Sequence, residues 1–316
     1  TFIDLFAGMG GFRLALESLG AKCVYTSEWD VEAQRTYAAN FGHTPDGDIT
    51  KVDAQSIPNH DILCAGFPCQ AFSISGKQMG FEDSRGTLFF DVARIIKAKQ
   101  PQVVFLENVR NLETHNGGRT LAVIKNTLEE LGYAVFHKVL SAVDYGVPQV
   151  RERIYIVCFR SDLGVTYFSF PEAIPLMKFV EDCLIDEAEI PEELYLKYAG
   201  DIRRIAKFDD VNSETPIRLG HLNKGCQGER IYSVKGVAIT LSAYGGGRFA
   251  RTGGYLVKGR IRRLHPRECA RLNGYPDSYK LPDNFNQAYQ QLGNSVVVDV
   301  LQYIALNIAE VLQQGE

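Results

Sequence analysis

No two cysteines in this chain stand as a CxxC pair. The seven, at 23, 64, 69, 158, 183, 226 and 269, are odd in number and irregularly spaced, so neither a disulfide framework nor a zinc site is indicated. The six histidines are scattered too, so no metal is expected, and the compartment should be reducing and cytoplasmic. Also missing is any uncharged apolar run approaching the roughly 18 residues of a membrane span, and the opening Thr1-Phe2-Ile3-Asp4 is no basic, apolar leader. A soluble globular protein is expected. The chain starts in a strand-like run without an initiator Met, so residues before Thr1 are expected to be missing, with any targeting segment they carried.

What is present suffices for a large domain and a smaller one: 316 residues, 45% of them hydrophobic. The formal net charge of -4 hides a division along the chain. Residues 216 to 275 hold twelve Lys or Arg against two Glu, whereas residues 181 to 214 hold four basic and eleven acidic residues. A basic block inside an acidic protein is a localised electrostatic footprint for a polyanion. Its bland alternative, a merely solvated face, is weakened by the interleaved glycines and aromatics.

The stretch around which the rest is organised is Gly66-Phe67-Pro68-Cys69-Gln70, directly after the apolar run Asp61 to Ala65. It puts a thiol on a loop just beyond the carboxyl end of a strand, where open α/β sheets bind ligands, with Pro68 stiffening the backbone before it. Cys69 is the candidate nucleophile. Cys64, inside the strand pattern, better fits the bland role of a small buried residue.

Phe2 to Phe6 reads as a strand and Ala7-Gly8-Met9-Gly10-Gly11 as a tight turn into a helix, with Phe12, Ala15, Leu16 and Leu19 at helical spacing. A second strand, Cys23 to Ser27, ends at Glu28, about 20 residues past the glycines, where nucleotide-binding βαβ units hold ribose hydroxyls. The dinucleotide fingerprint fails at its third glycine, where Arg13 stands, so a nicotinamide cofactor is disfavoured. Asp4 before the turn and Trp29 after Glu28 favour an adenosyl cofactor without pyrophosphate, Trp29 either stacking on adenine or packing on the sheet edge. Asp48-Ile49 would serve the adenine edge.

Strands at Asp61 to Gly66 and Val103 to Leu106 then alternate with helices near Gly86 to Lys99 and Thr120 to Leu131, the pattern of an α/β fold with a doubly wound, mostly parallel sheet. The polar stretch Ser73 to Gly80 is too long for an ordinary βα turn and reads as a lid. Glu107 closes one strand. Gln149, Arg151 and Arg153 share a face by period two ahead of the apolar strand Ile154 to Phe159. Arg151 could equally pair with a sheet carboxylate, and Arg153 is the stronger functional candidate. Residues 181 to 214 look like a joining segment. From 216 onward, short β-like runs such as Gly236 to Leu241 and the clusters Gly245-Gly246-Gly247 and Gly253-Gly254 mark a separate module, and Ser295 to Gln313 returns to helical spacing.

These segments together resemble the cytosine-C5 DNA methyltransferases along nearly the whole chain. Asp4 to Gly11 looks like that family's S-adenosylmethionine turn, Gly66 to Gln70 its nucleophile motif, and Glu107-Asn108-Val109 its cytosine-binding glutamate. Gln149 to Arg153, Arg267 to Arg271 and Gln291 to Val296 look like its later motifs, in the family's order. The loop Ser73 to Leu88 and the stretch Gln227 to Gly254 look closest to bacterial members that read GCGC, and residues 184 to 214 show little resemblance. The resemblance implies a catalytic Rossmann-like domain at 1–183 and 294–316, a β-rich target-recognition domain at 184–265 and a hinge segment at 266–293. For the cofactor, S-adenosyl-L-methionine, it implies Asp4, Phe6, Gly8, Gly10, Glu28, Trp29, Asp48, Ile49, Pro68, Leu88, Asn294 and Ser295.

It implies a chemistry as well. Carbon 5 of cytosine is a poor nucleophile until the Cys69 thiolate adds to C6. Glu107 would protonate or hydrogen-bond N3, if burial raises its pKa from about 4.3 toward 6 or 7, and Arg153 would hold O2, with Arg151 and Gln149 beside them. The target base must leave the duplex stack, with Ser75 and Gln227 filling the gap, Arg230 and the backbone of Tyr244, Gly245, Gly246 and Gly247 reading guanine edges, and Thr240 on a phosphate. Double-stranded DNA is then the partner, a restriction endonuclease of the same site a possible companion, and the chain a monomer. Recognition of CG or another site stays open, as does a non-catalytic DNA-binding regulator of the same fold. Intact Cys69, Glu107 and Arg153 argue against the regulator, because DNA affinity alone does not require them.

Overall fold

In the computed structural model the described residues are 1–68, 88–197, 203–204 and 211–314. The chain divides into two compact units, one of Thr1–Leu140, Glu152–Pro171 and Leu301–Glu316, the other of Ser141–Arg151 and Glu172–Val300.

The first unit is built on β1 (Phe2–Leu5), β2 (Cys23–Ser27), β3 (Ile62–Ala65), β4 (Val103–Val109), β5 (Tyr133–Ser141) and β6 (Glu152–Arg160). They form one six-stranded sheet in the order β2-β1-β3-β4-β6-β5. β1 pairs in parallel with β2 and β3, β3 in parallel with β4, and β6 runs antiparallel to β4. This is the expected mostly parallel α/β sheet. β1 and all but the first residue of β3 are buried, which is why they read as apolar runs without alternation.

Around them lie α1 (Gly11–Glu17), α2 (Val31–Phe41), α3 (Leu88–Lys99) and α4 (Arg119–Glu130). α3 buries Phe89, Val92, Ala93, Ile95 and Ile96 at helical spacing, each contributing about 1.5–3 kcal/mol when fully buried, Ala93 less. The sequence reading missed α2 and β5. α2 is nevertheless marked at both ends: the Asp30 carboxylate accepts from Glu32 N and Ala33 N, and Gly42 closes it at φ 76°.

In the second unit β7 (Arg203–Arg204), β8 (Arg218–His221), β9 (Arg230–Ser233), β10 (Gly254–Val257) and β11 (Arg260–Arg263) form a five-stranded sheet in the order β11-β10-β9-β8-β7. α5 (Pro266–Arg271) and α6 (Phe285–Asn294) follow, and α7 (Val298–Gln314) begins here and ends in the first unit. Gly236 to Leu241, expected as β-like, makes only the single bridge Gln149↔Ala238. Its polar groups go to another segment, Ala238 N donating to Pro148 O and Val150 N to Ala238 O, both at 2.8 Å.

The acidic joining segment is not a passive linker. Among its described residues three short 3-10 turns, Val180–Cys183, Glu187–Glu189 and Glu192–Leu194, shape it, and Ile190, Leu194 and Tyr195 are buried as a small cluster. Its carboxylates meet the basic block: Glu181 pairs with Lys235, Glu187 with Arg262 and Glu192 with Arg260. Arg262 is fully buried between Glu187 and Glu268, so part of the positive charge counted in the sequence is neutralised inside this unit.

By length and composition Phe285–Gln313 is apolar enough to cross a membrane. It is broken between α6 and α7, carries Asp299 and Glu310, and buries Leu301, Ile304 and Ile308, as a core helix does.

Candidate active site

Strand order decides where a ligand can bind the first unit. β1 has β2 on one side and β3 on the other, so the chain leaves the carboxyl ends of β1 and β3 in opposite directions and opens a crevice there. The glycine turn follows β1 and the Gly66-Phe67-Pro68 segment follows β3.

The turn is shaped by positive φ at Phe6 (57°), Gly8 (52°) and Gly10 (75°). For Phe6 this is costly backbone, held by what surrounds it. Gly10 has a second constraint, because a Cβ there would run into the rings of Phe41 and Tyr37. Glu28 locks the turn from the end of β2: its Oε2 accepts from Gly8 N and its Oε1 from Asp30 N, both at 2.8 Å. Burial raises the Glu28 pKa against those two N–H groups. Trp29 is 75% exposed, so it does not pack on the sheet edge and its indole face is open.

Asp48 accepts from Thr50 N and Thr50 Oγ, and the hydroxyl chiefly holds its carboxylate below the usual range. Ile49 is buried, with its carbonyl accepting from Arg94 of α3 at 2.5 Å, and Arg94 also donates to Val52 O. Arg94 also pairs with Asp91 of its own helix at 2.9 Å, but nothing local in the sequence marks it for Ile49 and Val52, whose carbonyls are more than forty positions away. Pro68 is exposed and Leu88, at the start of α3, half-buried.

Asp4 lies on β1 with 1% exposure, and among the described residues neither of its carboxylate oxygens completes a hydrogen bond. Burial pushes its pKa well above the carboxylate range and Glu28 adds to this, while the Arg13 charge and the Arg13 amide pull weakly the other way. The site thus offers an open aromatic face, a carboxyl fixed by backbone donors, a second carboxylate and a glycine turn, a set that fits the adenosine and amino-acid parts of S-adenosylmethionine.

Glu107 and Arg153 meet on the adjacent antiparallel strands β4 and β6. Register sets Glu107 opposite Tyr155 and Val109 opposite Arg153, so the two side chains lie diagonally on one face. Arg153 Nε is 3.1 Å from Glu107 Oε1, with both side chains largely buried, and Arg153 also donates to Glu152 O at 2.7 Å. Beside them is a residue given no role from sequence. Asn108 is buried, donates from Nδ2 to Phe67 O and accepts at Oδ1 from Val109 N, each at 2.8 Å, tying the segment after β3 to the end of β4. Cys69 and Ser75 lie outside the described residues.

In the second unit Gln149 and Arg151 are buried and turned to the backbone. Gln149 donates to Leu272 O (2.7 Å) and Asn273 Oδ1 (2.8 Å) and accepts from Leu241 N (3.0 Å). Arg151 donates to Leu241 O and Gly293 O at 3.0 Å and to Ser295 O. Asn273, unnoticed in the sequence, completes this hub by donating to Leu292 O. Asn294 is exposed, and Ser295 is buried with its hydroxyl bonded to Tyr275. Thr240 is half-buried and donates its hydroxyl to Val150 O. Gln227, Tyr244, Gly245, Gly246 and Gly247 are exposed, and Arg230 is half-buried, donating to Gly225 O. Among the described residues no group of three or more His, Cys, Asp or Glu side chains comes together as a metal site.

The family described as C-5 cytosine-specific DNA methylase matches residues 1–310. The Type II methyltransferase M.HhaI of Haemophilus parahaemolyticus is 61% identical over 98% of this chain and 94% of its own length. M.HpaII of Haemophilus parainfluenzae is 47% identical over 99% of the chain and 90% of its own length. Among solved structures, a mutant of Spodoptera frugiperda DNMT2 superposes with a TM-score of 0.73 at 19% identity, covering 99% of both chains, a likeness of fold. A match of this length, and relatives of this identity, place the chain in the family of C-5 cytosine-specific DNA methylases: it is a cytosine-C5 DNA methyltransferase.

Proposed function

We propose that this enzyme methylates the inner cytosine of GCGC in duplex DNA through a covalent bond between Cys69 and C6 of a base turned out of the helix. The observation that carries the reading is the Glu107–Arg153 pair on one face of the sheet, with Asn108 tying the adjoining strand end to the backbone that leads to Cys69. A carboxyl and a guanidinium side by side match N3 and O2 of one cytosine edge.

The Cys69 thiolate adds to C6 while Glu107 supplies a proton to N3 and Arg153 holds O2, which leaves C5 electron-rich. The entering base must share Glu107 with Arg153, because a cation alone favours the bare carboxylate. When bound, S-adenosyl-L-methionine supplies the electrophilic methyl group that C5 takes; Glu28, Trp29, Asp48 and the turn from Phe6 to Gly10 would hold it, with Asp4, Ile49, Pro68, Leu88, Asn294 and Ser295. The C5 proton then departs to a base, the electron pair returns to the ring, N3 gives back its proton and Cys69 leaves by β-elimination. The base must be unstacked because a paired cytosine cannot reach such groups, at a cost of a few kcal/mol offset by phosphate and base contacts.

Ser75 and Gln227 would occupy the vacated stack, Arg230 and Tyr244 to Gly247 read guanine, and Thr240 meets the backbone. The functional partition follows: catalysis in 1–183 and 294–316, reading in 184–265, a hinge in 266–293. Its similarity to type II methyltransferases supports a role in a restriction-modification system. The proposal also takes in an endonuclease of the same site, a bacterial cytoplasm and a monomeric enzyme.

The test is mass spectrometry after mixing the enzyme, S-adenosylmethionine and a GCGC duplex with 5-fluorocytosine at the inner cytosine, where fluorine cannot leave as a proton does. The expected result is a methylated adduct mapped to Cys69. An adduct only with duplexes carrying CG in other contexts would discard the site, and no adduct with any duplex would discard the covalent route.

A further inference from the structure

The two segments of the second unit read above as facing DNA are joined to each other through glycine. Gly228 lies buried in the turn Gln227–Glu229, between exposed Gln227 and half-buried Arg230. A Cβ on Gly228 would run into the carbonyl oxygen of Gly246 and lie 3.1 Å from its carbonyl carbon and 3.4 Å from Ala250 N. The relation is reciprocal. A Cβ on Gly247 would meet Gly228 O at 2.8 Å and Gly228 Cα at 3.2 Å. The Gly228 carbonyl accepts from Phe249 N at 2.7 Å, so backbone lies directly on backbone between the two segments.

Both halves are anchored. Phe249 is 1% exposed, clusters with Leu219, Leu222 and Ile231, and its ring is where a Cβ on Gly254 of β10 would fall. On the other side the Glu229 carboxylate closes its own turn, accepting from Asn223 Nδ2 at 2.8 Å, Gly225 N at 3.0 Å and Cys226 N at 3.2 Å. Turn formation explains Gly247, whose φ is +101°. It does not explain Gly228, which is absent from the positive-φ residues and has a backbone that other residues adopt. Clearance is the reason for glycine at 228, and the clearance is against the opposite segment.

We propose that Gly228 and Gly247 form a clasp that fixes the spacing between the two DNA-reading segments, making Gly228 a specificity-positioning residue. It touches no base and acts through where Gln227 and Arg230 are held relative to the backbone of Tyr244 to Gly247. The inference rests on the reading that these segments face DNA. Any β-carbon at 228 must separate two pieces of main chain, because neither neighbour has a flexible side chain to move aside. Guanine edges are read by bidentate geometry that tolerates little displacement, so the loss should fall on discrimination between sites rather than on methyl transfer itself.

The test compares wild type with Gly228→Ala on duplexes carrying GCGC or each of its single-base variants, reading kcat/KM on each. Wild type alone tests the reading: a preference for another site discards GCGC and moves the comparison to that site, while no preference overturns the clasp together with the reading. With a discriminating wild type, Gly228→Ala should lower the ratio of preferred to changed sites by about tenfold or more, with cofactor affinity unchanged. An unchanged ratio overturns the clasp and leaves the reading standing. Combining Gly228→Ala with Arg230→Ala should cost little discrimination beyond Arg230→Ala, because both act through one contact, and independent multiplication of the two losses overturns the proposal. Should Gly228→Ala fail to fold, hydrogen exchange on the wild type decides: the Phe249 amide should be as protected as those of β9, and fast exchange there overturns the clasp.

Discussion

Replacing Asn108 by alanine removes the only side chain among the described residues that bonds both Phe67 O and Val109 N. Phe67 is buried, so its carbonyl would lose its partner away from water, whereas Val109 is exposed and its N–H can be rehydrated more cheaply. An unsatisfied buried group costs about 1–3 kcal/mol, and with the lost charge-neutral hydrogen bonds the variant should be about 2–4 kcal/mol less stable. Because the freed backbone leads straight to Cys69, kcat should also fall, by about tenfold to a hundredfold, with cofactor affinity little changed. Urea unfolding followed by circular dichroism, together with single-turnover methyl transfer, reads both quantities. The Asn108→Asp variant sharpens the test: its carboxylate can still accept from Val109 N but can donate to Phe67 O only when protonated. Its pKa should therefore be raised in the folded protein above the unfolded value of about 3.9. Its stability should match wild type most closely below that value and fall as pH rises toward the folded pKa. Stability of Asn108→Ala within about 0.5 kcal/mol of wild type, with kcat preserved, would refute the reasoning.

Three further outcomes follow from the geometry. Asp4, whose pKa is raised by burial, binds its proton more tightly folded than unfolded, so its share of stability should decline as pH rises from about 4 toward the folded pKa; Asp4→Asn should abolish that decline in a pH series of urea melts. Trp29→Ala should change stability by less than about 0.5 kcal/mol yet weaken S-adenosylmethionine binding by roughly 2- to 10-fold in calorimetry; unchanged affinity would remove the indole from the cofactor site. Arg262→Ala strands the Glu268 carboxylate in the interior and should cost about 3–5 kcal/mol in thermal or urea unfolding, whereas a loss below about 1 kcal/mol would show that the buried pair is replaceable.

Features set by a few neighbouring residues could be read from sequence. The β1 strand with its glycine turn, Glu28 at the end of β2, and the apolar runs of β3, β4 and β6 each depend on local periodicity or a short spacing, and they lie in the structure as expected. The alternation of strand and helix likewise carried the fold class. α2 was legible in principle from Asp30 and Gly42, though not from apolar spacing, since it buries only Ala33, Thr36 and Tyr37. The run Gly236 to Leu241 misled because β-branched and apolar residues suit any extended segment, and its hydrogen bonds go to residues 148–150 instead of a ladder.

Tertiary structure decided what depended on partners far along the chain. Only the antiparallel register of β4 and β6 sets Arg153 against Glu107, because composition cannot say which strands are neighbours. Folding also settled how much of the basic block is free charge: Lys235, Arg260 and Arg262 are paired with the acidic segment, although the sequence shows two separate runs of opposite sign. Gly228 is the sharpest case. In sequence it is one glycine among 29, and only the approach of a second backbone shows why no side chain can stand there. The sequence by itself determined the kinds of group present and their local conformation, which short-range sterics and periodicity govern; pairing, burial and clearance came from the tertiary structure, because each is a relation between residues that the chain brings together only on folding.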